Sequence, residues 1–298
     1  MNAFMMAWRV SRWLPQRAVQ GLATTGSRIV WRRGGRVVER YEDNLAKVTG
    51  LSGDALRAKS RAGLESVARY YAEALTLGRM SATVIDARVR LEGYEQVESI
   101  LRATDKDKGV VAALSHSGNW DLVGAYASRN IIPVTAVAEI LKPQEVFDEF
   151  VALREGIGIE VLGHEGSTTF RKLISIAQSR RTLICLLADR DLSGSGVEVE
   201  MWGRKVKVAP GPAALSSVAK IPLVPVMVHY EQLTGERRKR AGSKWGVVLS
   251  FGTPLHPGDY PREHRVALMS QAWASALADR IAEHPEDWHM LQRFGWVE

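Results

Sequence analysis

Val110-Val111-Ala112-Ala113-Leu114-Ser115-His116-Ser117-Gly118-Asn119-Trp120-Asp121 is the stretch on which the fold turns. Its first five residues are uniformly apolar, as in a strand covered on both faces. The polar run that follows reads as a turn. Gly118 lets the backbone bend tightly, Asn119 is a good helix cap, and a helix is expected from Trp120 onward. Strand, turn and helix in that order are the unit of an α/β protein, whose ligands bind beyond the carboxyl ends of the strands. His116 falls at such an end.

Outward from this stretch the same alternation continues. Strand-like runs are expected at Ala87–Leu91, Val134–Val137, Thr182–Ala188, Leu223–Val228 and Val247–Phe251. Amphipathic helical patterns fall between them at 93–103, 120–129, 142–155, 167–179, 210–220 and 262–284. Ahead of them the chain reads as helical, with Ser52 or Asp54 as a cap and Leu56, Leu64, Val67, Tyr71 and Leu75 at helical spacing. The expected fold class is α/β, one central sheet flanked by helices on both faces. No repeat, low-complexity tract or linker divides the chain, so residues 1–298 are expected to form a single domain.

The chain has 298 residues, 46% hydrophobic and 24% charged, enough to bury a core and too apolar for disorder. Its one cysteine, Cys185, lies in the apolar run 182–188, as a buried strand residue of a protein in a reducing compartment. The net charge of +7 favours an anionic partner: a membrane surface, a nucleic acid or a phosphorylated small molecule. No nucleic-acid-binding module is recognisable.

The charge is concentrated at the N-terminus. Seven arginines (Arg9, Arg12, Arg17, Arg28, Arg32, Arg33 and Arg36) precede the first acidic residue, Glu39. Apolar residues including Trp8 and Trp13 are interleaved with them. No apolar run reaches the roughly 18 residues needed to span a bilayer, and Arg9 and Arg12 interrupt any signal-peptide core. Residues 1–40 are therefore expected to form a basic amphipathic segment lying on anionic lipid, with Trp8, Arg9, Arg12, Trp13 and Arg17 in contact. A first helix simply packed on the domain fits the same pattern.

His116 with a carboxylate five residues on suits acid/base chemistry. Asp121 would accept a hydrogen bond from one imidazole nitrogen, leaving the other to take a proton from a substrate hydroxyl. The spacing is equally compatible with a histidine that closes a turn and an aspartate that favours a helix dipole. Ser115 and Ser117 lie in no G-x-S-x-G elbow, and neither metal-ligand spacing nor a phosphate-binding glycine loop occurs, so neither metal nor cofactor is expected.

His116-Ser117-Gly118-Asn119-Trp120-Asp121 resembles the H-x4-D signature of glycerolipid acyltransferases, in the H-[ST]-G-N-W-[DE] form of the lipid A late acyltransferases and their actinobacterial relatives, the phosphatidylinositol mannoside acyltransferases. Ala138–Pro143, Leu153–Glu155, Leu187–Leu192, Gly196–Val199, Ala209–Ala213 and Pro285–Gln292 extend the resemblance along nearly the whole chain. It implies a mixed, mostly parallel sheet, as in glycerol-3-phosphate acyltransferases. The implied activity is transfer of a palmitoyl-like chain from acyl-coenzyme A, a donor substrate, to a mannose hydroxyl of phosphatidylinositol mannoside. It further implies His116 as base, Asp121 as its orienting partner, and Glu139, Arg154, Asp189 and Arg190 on the substrate side. Asp189 stands where these relatives carry glutamate. A monomer, peripheral on the cytoplasmic face of the plasma membrane, is expected.

Three other readings are distinguishable: the same chemistry on a lysophospholipid or lipid A precursor, a thioesterase in which His116 activates water, and a non-enzymatic membrane binder. The last leaves His116 and Asp121 unexplained.

Overall fold

Strand β2 (Val110–Leu114) is buried along its whole length, and its alternate residues feed two different cores. Val111 and Ala113 join one cluster; Val110, Ala112 and Leu114 join the other. This is the period-two geometry of a strand sandwiched between helical layers. The computed structural model describes residues 13–103, 108–140, 142–191 and 194–297.

Three helices lead in: α1 (Gln16–Arg33), α2 (Arg36–Thr49) and α3 (Gly53–Leu77). Then come α4 (Ala82–Arg88), β1 (Val89–Glu92), α5 (Tyr94–Ala103), β2, α6 (Trp120–Asn130), β3 (Val134–Ala138) and α7 (Gln144–Gly156). The chain continues through β4 (Ile159–Gly163), α8 (Ser167–Ser179), β5 (Leu183–Leu187), β6 (Val197–Met201), β7 (Arg204–Val208) and α9 (Gly211–Ala219). It ends with β8 (Leu223–Gln232), α10 (Gly235–Ala241), β9 (Trp245–Phe251) and α11 (Arg265–Glu283).

Seven strands form one sheet in the order β1-β9-β8-β2-β5-β3-β4, and every neighbouring pair is parallel except β8–β9. The sheet is thus mixed and mostly parallel, with helices on both faces. Helices α8, α9 and α11 cover one face through Leu173, Leu215 and Trp273; α4, α5 and α6 cover the other through Ile85, Val97 and Leu122. Each of these large side chains contributes on the order of 1.5–3 kcal/mol by burial.

Two elements depart from expectation. The segment expected as a strand from Ala87 is helical up to Arg88, and only Val89–Glu92 pair with β9. Arg88 causes the misreading: its guanidinium is fully buried, in an ion pair with Glu73. Strands β6 and β7 form a separate antiparallel ribbon whose turn, Trp202-Gly203, has positive φ at both residues, as a tight hairpin turn requires. Arg204, Lys205 and Lys207 lie on β7, where Lys205 pairs with Glu198 at 2.8 Å.

Among the described residues no helix is long and apolar enough to cross a membrane. Trp13 is 89% exposed, and Arg17 is exposed at the start of α1. Trp8, Arg9 and Arg12 lie outside the described residues.

Candidate active site

The register of β2 and β5 brings the site together. Leu114 lies opposite Leu187, so two residues further on each strand leaves His116 beside Asp189. The imidazole Nδ1 of His116 is 2.5 Å from Asp189 Oδ1, and the His116 backbone N–H donates to Oδ2 at 2.9 Å. Trp288 donates its indole N–H to the same Oδ2, also at 2.9 Å.

Asp189 is fully buried. Burial alone would raise its pKa, but the His116 charge and the bonds from His116 and Trp288 hold it below the usual carboxylate value. An ionised Asp189 requires the proton of a neutral imidazole on Nδ1, which leaves the Nε2 lone pair free. For His116, burial acts to lower the pKa, and the charge and hydrogen bond of Asp189 outweigh it, with a net rise above the ordinary imidazole value. The side chain keeps 35% of its surface accessible and lines the cavity below.

Asp121 is not the partner of His116. Its carboxylate is fully buried on the other side of the turn, where Oδ2 accepts from the Tyr70 hydroxyl at 3.0 Å and Oδ1 from Arg154 Nε at 2.8 Å. The first turn of α6 aims it at α3 and α7, away from the strand ends. Asp121 thus ties three helices together and fixes Arg154, whose guanidinium stacks 4.4 Å over the Trp120 ring. Arg154 therefore enters the cavity wall already paired with Asp121.

The turn itself is held from several sides. Gly118 has φ +56°, and a Cβ there would lie 2.6 Å from the Val228 carbonyl oxygen. Asn119 caps α6 by accepting from the Leu122 N–H at 2.9 Å, while its amide donates to buried Glu73 at 2.7 Å. Ser115 and Ser117 bond to each other, Oγ to Oγ, at 2.8 Å. The chain's last segment then closes over the turn: the Gly118 N–H donates to the Asp287 carbonyl, and the His289 N–H to the His116 carbonyl at 2.7 Å. Asp287, Trp288, His289, Tyr70 and Glu73 carry no chemistry that spacing could reveal. The Pro285–Gln292 motif points toward Asp287, Trp288 and His289; nothing in the sequence points toward Tyr70 or Glu73.

Nε2 of His116 therefore has room to work in a cavity of about 380 Å³, within the usual range for small-molecule sites. Its walls are largely apolar, including Leu114, Val137, Phe170, Leu173, Leu186 and Leu187; Glu139, Arg154 and Arg190 supply charge. Cys185 also lines it, with burial pushing its thiol up to about 12, so it remains protonated and non-nucleophilic. Asp191 accepts from the Gly196 N–H at 2.8 Å. His164 is exposed at the cavity. His229 is instead buried, stacked on His284 at 3.7 Å and pushed down to about 4 by burial and by His284. Among the described residues no group of three or more His, Cys, Asp or Glu is placed to hold a metal.

Comparison with known proteins bears on the family of the chain. The chain is 35% identical over 292 residues to the phosphatidylinositol mannoside acyltransferase of Mycolicibacterium smegmatis, covering 97% of this chain and 89% of that one. It is 34% identical over 295 residues to the enzyme of the same name from Mycobacterium tuberculosis, covering 97% and 86%. The crystal structure of the Thermotoga maritima 1-acyl-sn-glycerophosphate acyltransferase PlsC aligns with 14% identity and a TM-score of 0.37 over 82% of this chain and 94% of that one. That likeness is too slight to bear on the fold. Residues 2–294 match the model of the bacterial lipid A biosynthesis acyltransferases, and the chain is a member of that acyltransferase family.

Proposed function

We propose that the protein transfers a long saturated acyl chain from acyl-coenzyme A to a mannose hydroxyl of phosphatidylinositol mannoside. The observation that carries the chemistry is the buried Asp189 on Nδ1 of His116, with Nε2 left free beside an apolar cavity. The acceptor is supported by the two mycobacterial relatives, which match along nearly their whole length.

In this reading His116 Nε2 takes the hydroxyl proton as the sugar oxygen attacks the thioester carbonyl. A C–O bond forms, and the carbonyl becomes a tetrahedral oxyanion. Asp189 stabilises the resulting imidazolium. As the oxyanion collapses the C–S bond breaks, and His116 returns its proton to the departing thiolate, leaving ester and free thiol. A thioester is reactive enough that no acyl-enzyme is required, so both substrates must be bound together. Glu139, Arg154 and Arg190 line the same cavity and supply polar contacts for the sugar or the coenzyme. The acid-free N-terminus supports docking on the cytoplasmic face of an anionic membrane, with the protein as a peripheral monomer.

The test mixes labelled palmitoyl-coenzyme A separately with phosphatidylinositol mannoside, lysophosphatidic acid and a lipid A precursor, and identifies products by mass. Acylated mannoside with intersecting initial-velocity patterns is expected. Label only in another acceptor, or only in free palmitate while mannoside is present, would overturn the assignment.

A further inference from the structure

A second concavity lies outside the acyl cavity, at the junction of α1, α3 and the connection from β8 to β9. It encloses about 870 Å³ and is lined by Arg17, Arg28, Arg69, Arg238, Lys239 and Lys244, with Glu65 as its one carboxylate. Arg28 is taken up by Glu65, and Lys239 pairs with Glu236 outside the groove. Arg69, Arg238 and Lys244 form no carboxylate pair among the described residues. Arg69 is held instead by rings, 3.7 Å from the Trp245 centroid and 4.4 Å from Tyr230. Such stacking fixes the guanidinium plane while leaving its N–H fork unsatisfied, the form in which arginine recognises phosphate.

The groove's place in the fold also matters. Strand β8 runs parallel to β2, and β9 returns antiparallel with Trp245 opposite Gln232. The α10 connection, Gly235-Glu236-Arg237-Arg238-Lys239-Arg240-Ala241, therefore leaves the same edge of the sheet on which His116 follows Leu114. Arg69 adjoins Tyr70, whose hydroxyl bonds to Asp121 beneath the catalytic turn. Groove and cavity thus both lie toward the edge of the sheet at the carboxyl ends of β2 and β8.

We infer that this groove is a binding site for phosphodiester headgroups of an anionic phospholipid surface, seated on Arg69, Arg238 and Lys244. Charge complementarity selects an anion, and the paired, open N–H groups select phosphoryl oxygens. The position toward the catalytic edge of the sheet selects a lipid surface rather than a solute, since a membrane laid along that edge meets groove and cavity together. The inference is independent of which lipid is acylated.

Co-sedimentation with phosphatidylcholine vesicles, with and without phosphatidylinositol, tests it on the full chain. Arg238 and Lys244 are exposed, so Arg238→Ser/Lys244→Ser leaves the fold intact. It should weaken binding to phosphatidylinositol vesicles roughly 10- to 30-fold at low salt, as expected for two cations at an anionic surface. Arg69→Gln should weaken it about 5-fold. Unchanged binding of both would overturn the site. So would an equal loss in Arg181→Ser/Arg262→Ser, which removes the same charge elsewhere, because net charge would then account for the binding. Inorganic phosphate should release the protein beyond chloride of matched ionic strength, because it competes for the same contacts; release equal to that by chloride would overturn the phosphoryl site.

Discussion

Trp288 Nε1 and the backbone N–H of His116 donate to one and the same oxygen of Asp189, each at 2.9 Å, which leaves the other oxygen to the imidazole. The carboxylate is pinned in orientation before any substrate arrives. Trp288→Phe keeps an aromatic ring against Trp202 and Phe294 but removes one donor. A hydrogen bond to a charged group is worth about 1.5–3 kcal/mol. The variant should lose at least that much stability in denaturant titration. Asp189, less stabilised as an anion, should hold the His116 proton more tightly, so the acidic limb of the pH–rate profile should move to higher pH.

His116→Ala should reduce kcat by about 10²–10⁴-fold, the range general-base catalysis supplies. Its effect on stability should depend on pH, with a definite sign. The folded-state pKa of His116 is raised, so the pair with Asp189 contributes stability that is fully present below the ordinary imidazole pKa and fades as pH rises through the raised value. The depressed pKa of Asp189 sets the lower bound, since stability is lost as pH falls through it. Urea denaturation should therefore show His116→Ala costing more at pH 5.5 than at pH 9. An equal cost at both would refute the pairing.

Asp189→Glu should retain more activity than Asp189→Asn. Asparagine preserves the shape yet cannot stabilise the imidazolium, whereas glutamate keeps the charge and must fold one extra methylene into a fully buried position. Single-turnover rates, with melting temperatures alongside, separate the two effects.

Asp121→Ala should act first on stability. Removing one partner of a buried pair typically costs about 3–5 kcal/mol, because the remaining charge is left uncompensated. A double-mutant cycle with Arg154→Met should show coupling well above zero. Folded Asp121→Ala protein should keep more turnover than folded His116→Ala; the reverse order would return Asp121 to the chemistry.

Gly118→Ala should be severe for a different reason. The residue would have to adopt φ +56° with its Cβ 2.6 Å from a carbonyl oxygen of β8. Backbone strain of this kind costs on the order of 1–3 kcal/mol before the clash is counted. Circular dichroism melts should show a lowered midpoint, and turnover should fall as the His116 loop shifts.

Much of the layout was legible because the sheet is buried on both faces. Val110–Leu114 is apolar without interruption and is a strand over that range; the helix expected at 167–179 is observed as Ser167–Ser179. Strand Ile159–Gly163 was missed, since Glu160 and the flanking glycines break its apolar run. The site was half legible. His116 stands out by its place at a strand end, whereas nearness in sequence suggests Asp121, not Asp189, as its partner. Helix geometry turns Asp121 away, and strand pairing brings in Asp189 from 73 positions downstream. Proximity across a parallel ladder leaves no local spacing to read. The Pro285–Gln292 motif marks Trp288 and His289, but their contact with the turn, through an isolated antiparallel bridge of Trp288 to Ser117, has no local spacing either.

The return of the chain to this turn ties helices α2 and α3 to a segment more than two hundred residues downstream, as well as to the site. Asn44 on α2 donates to the carbonyls of Met290 and Gln292, and Ser66 on α3 donates to Asp287 at 2.6 Å. A nascent chain therefore emerges from the ribosome with its first helices lacking the residues that complete them. Contacts spanning more than two hundred residues are slow to form, and apolar surface awaiting them stays exposed meanwhile. Synthesis of this protein should thus yield no working enzyme until the segment 287–292 has emerged, and translation that stops short of Asp287 should produce a chain that chaperones or proteases must deal with.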